Sequence, residues 1–324
     1  MGLQAGAGFS VTSSIVIGAG MAGLACARHL ADSGENVIVL DKARGLGGRL
    51  ATRRTEYGPF DHGAQYVTAR DAGFAAWLDQ AAATGLAAPW EQLGMEQTWW
   101  VGAPGMSKLV APLAEGLEIR NPCRVETVGQ DGEGWLVACE NGEMFQADRL
   151  AVAIPAPQAK TLLSGVTPLA DRLDAVRYAP CWTLMLSLAE PLEQAPRVYR
   201  ASDGPCAWIA CDSTKPGRSG EGENWVIQAG PGWSDTHLEE DPETVHGLLC
   251  SAFESWAGAL PEIRSSQVHR WRHARVLKAL EAPCLWDGEA GIGLAGDWCL
   301  GPRVEAAYLS GRALAGRMLK TQSR

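Results

Sequence analysis

Residues 14–41, SIVIGAGMAGLACARHLADSGENVIVLD, decide the fold of this chain. A short apolar run at 14–17 precedes a glycine-rich turn, and a run of small, helix-forming residues follows the turn as far as Gly34. A second apolar run at 37–40 ends in Asp41. Strand, turn, helix and strand in this order predict a βαβ unit whose strands lie in a parallel sheet buried on both faces.

The turn, Gly18-Ala19-Gly20-Met21-Ala22-Gly23, predicts a site for a dinucleotide. Gly18 permits the tight turn, Gly20 lets the backbone approach a pyrophosphate, and Gly23 lets the helix pack closely on the strand. Free N–H groups at the start of the helix favour a phosphate. The three glycines alone are a weak signal, but the strand before them and the helix after them make the prediction specific.

Asp41 and the residues after it narrow the choice of dinucleotide. A carboxylate at the end of the second strand can accept hydrogen bonds from both ribose hydroxyls and disfavours a 2′-phosphate, which favours FAD or NAD over NADP. The stretch 41–49, DKARGLGGR, contains glycines and arginines that could wrap a second phosphate region. An NAD dehydrogenase has no use for such a loop at this position, so the stretch counts in favour of FAD.

The last part of the chain predicts a return to the same sheet. Residues 292–297, IGLAGD, predict an apolar strand ending in Gly-Asp, and a helix is predicted from Val304 to Leu319. An aspartate at a strand end can bind a sugar-alcohol hydroxyl, while the free N–H groups of the following helix face an electron-rich group.

Four stretches carry a resemblance to a known family. The pattern of an acid followed by Arg44, Gly47, Gly48 and Arg49 resembles the fingerprint of the flavin amine oxidase superfamily. The strings GAQYVTAR, HRWRHARV and GDWCLGPRVEAAYLSG are similar to the renalase-like group, and most to its bacterial members; they occupy residues 63–70, 269–276 and 296–311.

The resemblance implies an α/β protein with a Rossmann-like FAD-binding domain and a second, α+β substrate domain built on an antiparallel sheet. It implies non-covalent FAD, with Arg49 neutralising the pyrophosphate and the backbone of the strand at Val125 near the adenine. The implied FAD contacts are Gly18, Gly20, Met21, Ala22, Gly23, Asp41, Lys42, Arg44, Gly48, Arg49, Gln65, Tyr66, Val125, Gly296, Asp297, Val304, Glu305 and Ala306.

The implied reaction is the oxidation of the 1,2- and 1,6-dihydro isomers of NAD(P)H to NAD(P)+, with molecular oxygen reduced to hydrogen peroxide. A dihydropyridine needs only to lose a hydride, so neither a nucleophile nor a general base is required. The protein must hold the nicotinamide ring flat over the flavin, with C2 or C6 near flavin N5.

The candidate substrate residues are His269, Trp271, His273 and Arg275, which share one face at strand spacing. We expect His269 and Trp271 to face the pocket, with His273 and Arg275 as partners of a phosphate or carboxamide. We expect the intervening arginines, 270 and 272, to be solvated or packed side chains.

The predicted domains are discontinuous. The FAD-binding domain takes residues 11–70, 102–158 and 284–324, and the substrate domain takes 71–101 and 159–283. Between 125 and 152, apolar runs separated by Asp-Gly and Asn-Gly predict an antiparallel meander. Residues 213–224, rich in glycine and serine, predict a mobile surface loop.

Composition excludes several partners. The net charge of −9 argues against nucleic acid and anionic membranes, and no apolar run approaches the ~20 residues of a membrane span. The first 14 residues lack the features of a signal peptide.

Nine cysteines without a CxxC pair predict a reducing, cytoplasmic location and no zinc site. All 13 tryptophans lie at or after Trp77, which predicts one region with an aromatic-lined pocket.

Two other functions stay open at this stage. The first is a flavin oxidase or desaturase acting on an amine or a lipid-like molecule. Amine oxidases often carry a lysine beside the flavin, and of the six lysines here only Lys278 falls near a plausible pocket. The second is a non-catalytic flavin-binding redox module.

Overall fold

The computed structural model describes residues 10–91 and 96–321. The first nine residues lie outside the described part. Most of the stretch 1–14, in which no signal peptide is expected, therefore lies outside it as well. The chain divides into two compact units. Unit 1 comprises Met1–Gly48, Pro112–Val176 and Lys278–Arg324, and unit 2 comprises Arg49–Ala111 and Arg177–Leu277.

The strands are β1 (Ser10–Ile17), β2 (Val37–Leu40), β3 (Thr52–Thr55), β4 (Gly58–Asp61), β5 (Ala87–Pro89), β6 (Trp100–Gly102), β7 (Glu118–Arg120), β8 (Val125–Gln130), β9 (Trp135–Cys139), β10 (Met144–Val152), β11 (Arg177–Leu188), β12 (Val198–Arg200), β13 (Trp208–Cys211), β14 (Glu223–Gln228), β15 (Ile263–Lys278), β16 (Leu285–Asp287) and β17 (Ile292–Leu294). The helices are α1 (Met21–Asp32), α2 (Ala72–Ala83), α3 (Ala111–Ala114), α4 (Ala156–Leu163), α5 (Leu169–Arg172), α6 (Pro231–Thr236), α7 (Pro242–Ala257), α8 (Asp297–Leu300) and α9 (Val304–Thr321).

Unit 1 is built on a sheet with the strand order β16-β17-β10-β1-β2-β7. β1, β2, β7, β10 and β17 run parallel, so the predicted βαβ unit is confirmed as β1-α1-β2. β8, β9 and the first half of β10 form the predicted antiparallel meander. β10 joins the two patterns, because its length lets it pair with β9 near its start and with β17 near its end.

Unit 2 is built on a five-stranded sheet with the order β12-β13-β14-β11-β15. The pairs β12–β13, β13–β14 and β14–β11 are antiparallel, as predicted for the second domain. Alternate side chains of β11 point to one face of the sheet, where they form a core with the apolar stripe of α7. This core includes Trp182, Leu184, Leu186, Trp225, Val245, Leu249 and Phe253.

The compact units differ from the predicted domains at four segments. Residues 49–70 and 102–111 belong to unit 2, and residues 159–176 and 278–283 belong to unit 1. The β3–β4 hairpin joins unit 2 because the Asn224 side chain donates to the Tyr57 carbonyl at 2.8 Å and the Asp61 carboxylate is buried against Lys215. The FAD contacts expected of Arg49, Gln65 and Tyr66 stay predictions.

The loop at 213–224, which composition predicts to be mobile, holds two buried charged side chains in the structure. Its Lys215 side chain is completely buried and its Arg218 side chain is 2% exposed. Both pair with buried carboxylates, so this loop is anchored by charges that composition alone does not reveal.

Two further findings concern the helices and the cysteines. Among the described helices, none has the length and apolar character needed to cross a membrane. All nine cysteines are free thiols. Burial raises the pKa of each thiol, which keeps it protonated and unreactive at neutral pH.

Candidate functional site

The glycine turn of unit 1 forms a cradle at the start of α1. Gly18 has a φ of +107°, and a Cβ atom there would lie 2.7 Å from the Ala153 carbonyl oxygen. A Cβ on Gly23 would lie 1.8 Å from the Gly18 carbonyl oxygen. A Cβ on Gly20, the N-cap residue, would meet nothing within 4 Å. The fold therefore requires Gly18 and Gly23, whereas Gly20 leaves open the space in which a pyrophosphate fits.

Asp41 fixes this turn to the end of β2. One carboxylate oxygen accepts from the Ala19 N–H at 2.6 Å and the other from the Ala43 N–H at 2.7 Å. Each oxygen has further lone pairs that can accept from a ribose hydroxyl. The Gly47 N–H donates to the Ala19 carbonyl at 2.8 Å, which brings the 42–48 loop against the cradle.

The same unit holds the basic residues that were predicted beside the cradle. Lys42 donates to the Gln158 side chain at 3.1 Å, and burial together with Arg124 lowers its pKa. The Arg44 side chain is exposed, and its carbonyl accepts from Asn121 at 2.7 Å. Both cations, with the N-terminus of α1, suit an anionic ligand.

The C-terminal segment of unit 1 places the predicted Gly-Asp and the start of α9. A Cβ on Gly296 would lie 2.2 Å from the Trp298 indole nitrogen, so glycine is required there. The buried Asp297 carboxylate accepts from the Trp298 N–H at 2.9 Å. Glu305, also buried, is paired with Arg303 in the first turn of α9, next to Val304 and Ala306.

Three predicted FAD contacts belong to unit 2. Arg49 donates to the Ala274 carbonyl at 3.2 Å. The buried Gln65 amide donates to the Gly63 carbonyl at 3.1 Å and accepts from Lys215 at 3.2 Å. The Tyr66 ring stacks on Trp99 with centroids 4.0 Å apart.

A cluster of His62, His269 and Trp271, here called the His62 cluster, is the strongest candidate for a substrate site in unit 2. The ring centroids of His62 lie 4.9 Å from His269 and 5.3 Å from Trp271, and His269 and Trp271 lie 4.4 Å apart. The Trp271 indole donates to the His62 carbonyl at 2.8 Å. The structure thus brings together the two residues expected to face the pocket and adds His62.

Both imidazoles of the His62 cluster are neutral at pH 7. Burial, the neighbouring His269 and Arg53 lower the pKa of His62 to about 4. Burial and Arg53 also lower the pKa of His269. The cluster is therefore an uncharged aromatic surface rather than a cationic one.

The rest of β15 divides as its alternation predicts. His273 lies against Tyr178, with ring centroids 5.5 Å apart, and Arg275 is exposed, so neither joins the His62 cluster. On the other face, Arg270 donates to the Leu238 carbonyl at 2.8 Å and Arg272 pairs with Glu239. These arginines are packed or paired, as expected.

Beside the cluster lies a group of buried charges that sequence reasoning missed, here called the buried charge cluster: Asp61, Asp212, Lys215 and Arg218. The Lys215 ammonium lies 2.5 Å from an Asp212 oxygen and 3.2 Å from an Asp61 oxygen, and Arg218 also pairs with Asp61. Because Lys215 also donates to Gln65, the buried charge cluster holds the segment 61–66 that carries His62 and Tyr66. Among the described residues, no three His, Cys, Asp or Glu side chains are placed to hold a metal ion.

Comparison with known proteins identifies the class. The family described as flavin containing amine oxidoreductase matches residues 71–319, well over half of the chain. The NAD(P)-binding Rossmann-like domain matches residues 16–81, which contain the glycine turn.

Solved structures share the fold. A proposed protoporphyrinogen oxidase from Exiguobacterium sp. 255-15 aligns with a TM-score of 0.74 and 14% identity, covering 97% of this chain and 100% of that chain. Cyclohexylamine oxidase from Brevibacterium oxydans IH-35A gives 0.68 and 12%, with 97% and 100% covered. A putrescine oxidase triple mutant gives 0.69 and 12%, with 96% and 99% covered.

The fold and the cradle define a flavin-dependent oxidoreductase. The chain belongs to the flavin-containing amine oxidoreductase family, and its cofactor is FAD. The open space at Gly20 and the acceptor at Asp41 fit the pyrophosphate and a ribose of that cofactor.

Proposed function

We propose that the protein is a FAD-dependent oxidase of dihydronicotinamides. It removes a hydride from the 1,2- or 1,6-dihydro isomers of NAD(P)H, giving NAD(P)+, and the hydride with a proton reduces oxygen to hydrogen peroxide. The observation that carries this proposal is the His62 cluster, an uncharged aromatic surface built partly from the HRWRHARV stretch that resembles the renalase-like group.

The cofactor would be held without a covalent bond. In unit 1 the predicted contacts run from the Gly18–Gly23 turn through Asp41 to Asp297 and the start of α9, and in unit 2 they include Arg49. Bound FAD supplies the hydride acceptor and the route for electrons to oxygen. Nine free thiols fit a reducing compartment, and we place the protein in the cytoplasm.

The His62 cluster suits a ring that becomes a cation. Trp271 and the two neutral imidazoles can bound a flat nicotinamide, and the negative face of an aromatic ring stabilises positive charge that develops on it. Because the substrate loses only a hydride, the cluster needs no proton acceptor. An imidazole with a pKa of about 4, as at His62, is a poor acceptor for the proton of an alkylammonium ion.

Oxidation of a small amine is the second candidate, and the family match favours it. Lys215 is buried in unit 2, but its side-chain nitrogen is taken up by ion pairs with Asp61 and Asp212. Lys278, the lysine expected near a pocket, has an exposed side chain at the end of β15. Neither lysine supports the amine reaction.

Anaerobic mixing tests the proposal. The flavin absorbance of the holoenzyme should be bleached by the 1,2- or 1,6-dihydro isomers at least ~10-fold faster than by 1,4-NAD(P)H, since misplacing a reacting atom by 1 Å can cost on the order of 100-fold. The rate should be flat around neutral pH, and air should restore the absorbance with release of hydrogen peroxide. Rapid bleaching by simple amines, with no response to any dihydro isomer, would overturn the proposal in favour of the amine reaction.

Trp271→Ala is expected to slow flavin reduction by the dihydro isomers more than it weakens FAD binding. The substitution removes the ring that bounds the nicotinamide, and loss of an aromatic contact is worth about 0.5–1.5 kcal/mol beyond burial, or roughly 2- to 10-fold. Trp271→Phe is the matched control, because it keeps an aromatic ring and loses only the hydrogen bond to the His62 carbonyl. Equal losses in both variants would show that the hydrogen bond, not the ring, is what matters.

A further inference from the structure

Unit 2 carries a cation held on aromatic rings, here called the Arg200 platform and formed by Arg200, Tyr66, Trp99 and Trp208. The guanidinium carbon lies 4.5 Å from the Trp99 ring centroid, 4.8 Å from Trp208 and 5.4 Å from Tyr66. The guanidinium also donates to the Tyr66 hydroxyl. Two of the 13 tryptophans, Trp99 and Trp208, meet here with ring centroids 5.7 Å apart.

The strands explain how the platform is assembled. Arg200 on β12 lies directly opposite Trp208 on β13, so the two side chains share one face of the sheet. Trp99 is 5% exposed and stacks on Tyr66 at an interplanar angle of 10°, which gives a rigid floor. Arg200 itself is exposed.

Arg200 differs from two other arginines of unit 2 in its partners. Arg197 pairs with Glu223 and Arg272 with Glu239, whereas Arg200 makes no ion pair within residues 10–91 and 96–321. When a guanidinium stacks on an aromatic ring, its N–H groups point outward in its own plane. Two of them can then donate to the same phosphate. The platform is therefore a preformed site for an anion.

The platform and the His62 cluster lie along one row of the same face. Trp208 on β13 is opposite Gln228 on β14, and the Gln228 amide donates to the Gly63 carbonyl at 2.7 Å. The Trp271 indole on β15 donates to the carbonyl of the adjacent His62. His62 and Tyr66, which belongs to the platform, are four residues apart in the chain, so their Cα atoms lie at most ~14 Å apart.

We propose that the Arg200 platform binds a phosphate of the adenosine half of the substrate while its nicotinamide lies at the His62 cluster. This inference rests on the proposed function, because it needs a dinucleotide as the substrate. Two phosphate sources share this chemistry, the pyrophosphate of every such dinucleotide and the 2′-phosphate of the NADP form. Arg200 would then be a specificity-determining residue for the dinucleotide.

The test compares dihydro isomers of NAD, of NADP and of nicotinamide riboside, which has no phosphate. In Arg200→Ala, kcat/KM for the dinucleotides relative to the riboside should fall about 10- to 100-fold, the loss expected for charged hydrogen bonds. Arg272→Ala, an exposed arginine on the opposite face of β15, should leave this ratio unchanged. A fall confined to the NADP isomers would assign the 2′-phosphate, and an equal fall for NAD and NADP isomers would assign the pyrophosphate.

A binding measurement separates this inference from the proposed function. Quenching of tryptophan fluorescence by ADP-ribose should be weaker in Arg200→Ala than in the wild type, and Arg200→Gln serves if the alanine variant does not fold. If Arg200→Ala leaves the ratio of kcat/KM between dinucleotides and riboside unchanged, even with equal losses in both, the platform is not a phosphate site. If no dihydro isomer reduces the wild-type flavin, the proposed function fails, whereas ADP-ribose binding that is unaffected by Arg200→Ala removes the platform alone.

Discussion

Gly20→Val is expected to abolish FAD binding while leaving unit 1 folded. The backbone of Gly20 has a φ of −79° and a ψ of −179°, which valine adopts without strain. Outside its chain neighbours, no protein atom lies within 4 Å of the position that its Cβ would take, so the protein has room for a side chain that begins there. That same space is where the pyrophosphate approaches the backbone, and the side chain would exclude it.

The measurement is the flavin content of the purified protein, with the folded state checked by circular dichroism. Gly129→Val is the matched control, because Gly129 on β8 of the same unit also has open space around its Cβ position. The control should stay yellow, while the Gly20 variant should lose FAD affinity by more than ~100-fold, the loss of at least two charged hydrogen bonds at the phosphate. Full FAD occupancy in the Gly20 variant would show that the cradle is misassigned.

The fold was largely predictable because its signals are local. The βαβ unit is encoded within the stretch 14–41, in which the apolar runs, the glycines and the terminal acid are close in sequence. The meander and the last strand and helix carry turn residues and periodicity of the same local kind. Alternation along β15 placed His269 and Trp271 on one face and Arg272 on the other for the same reason.

The rest of the candidate site depends on contacts between residues far apart in sequence. His62 gains its neighbours from β15, more than 200 residues later, and nothing in its own flanks indicates this. Lys215 lies in a stretch whose composition is typical of an exposed loop, yet its ammonium pairs with Asp61, 154 positions away. A signal was present in that stretch, since a lysine and an arginine follow Asp212 within six residues, but only burial shows that these charges pair.

Lys215→Met is expected to destabilise the protein by about 3–5 kcal/mol, the usual cost of breaking a buried ion pair. The side chains of Lys215, Asp61 and Asp212 are fully buried, so the variant leaves two carboxylates facing the single guanidinium of Arg218. Lys160→Met is the matched control, because its partner Asp174 is 64% exposed and a surface pair contributes ~1 kcal/mol at most. Urea unfolding of the holoenzyme measures both effects.

The loss should depend on pH in a defined direction. Burial raises the pKa of Asp212 already in the wild type, and removing the Lys215 ammonium raises it further. A carboxyl group whose folded pKa lies above its unfolded value takes up a proton on folding, so its stabilising effect is lost as the pH rises towards that folded pKa. The penalty of Lys215→Met should therefore be smaller near ~pH 5 than at ~pH 8. Asp61 opposes this trend only weakly, because Arg218 still holds its pKa down against the effect of burial.

The double variant Lys215→Met/Asp212→Asn removes the unpaired charge and should recover part of the stability at the higher pH. A penalty that is independent of pH, and that the double variant does not relieve, would mean that lost packing rather than an uncompensated charge destabilises the variant.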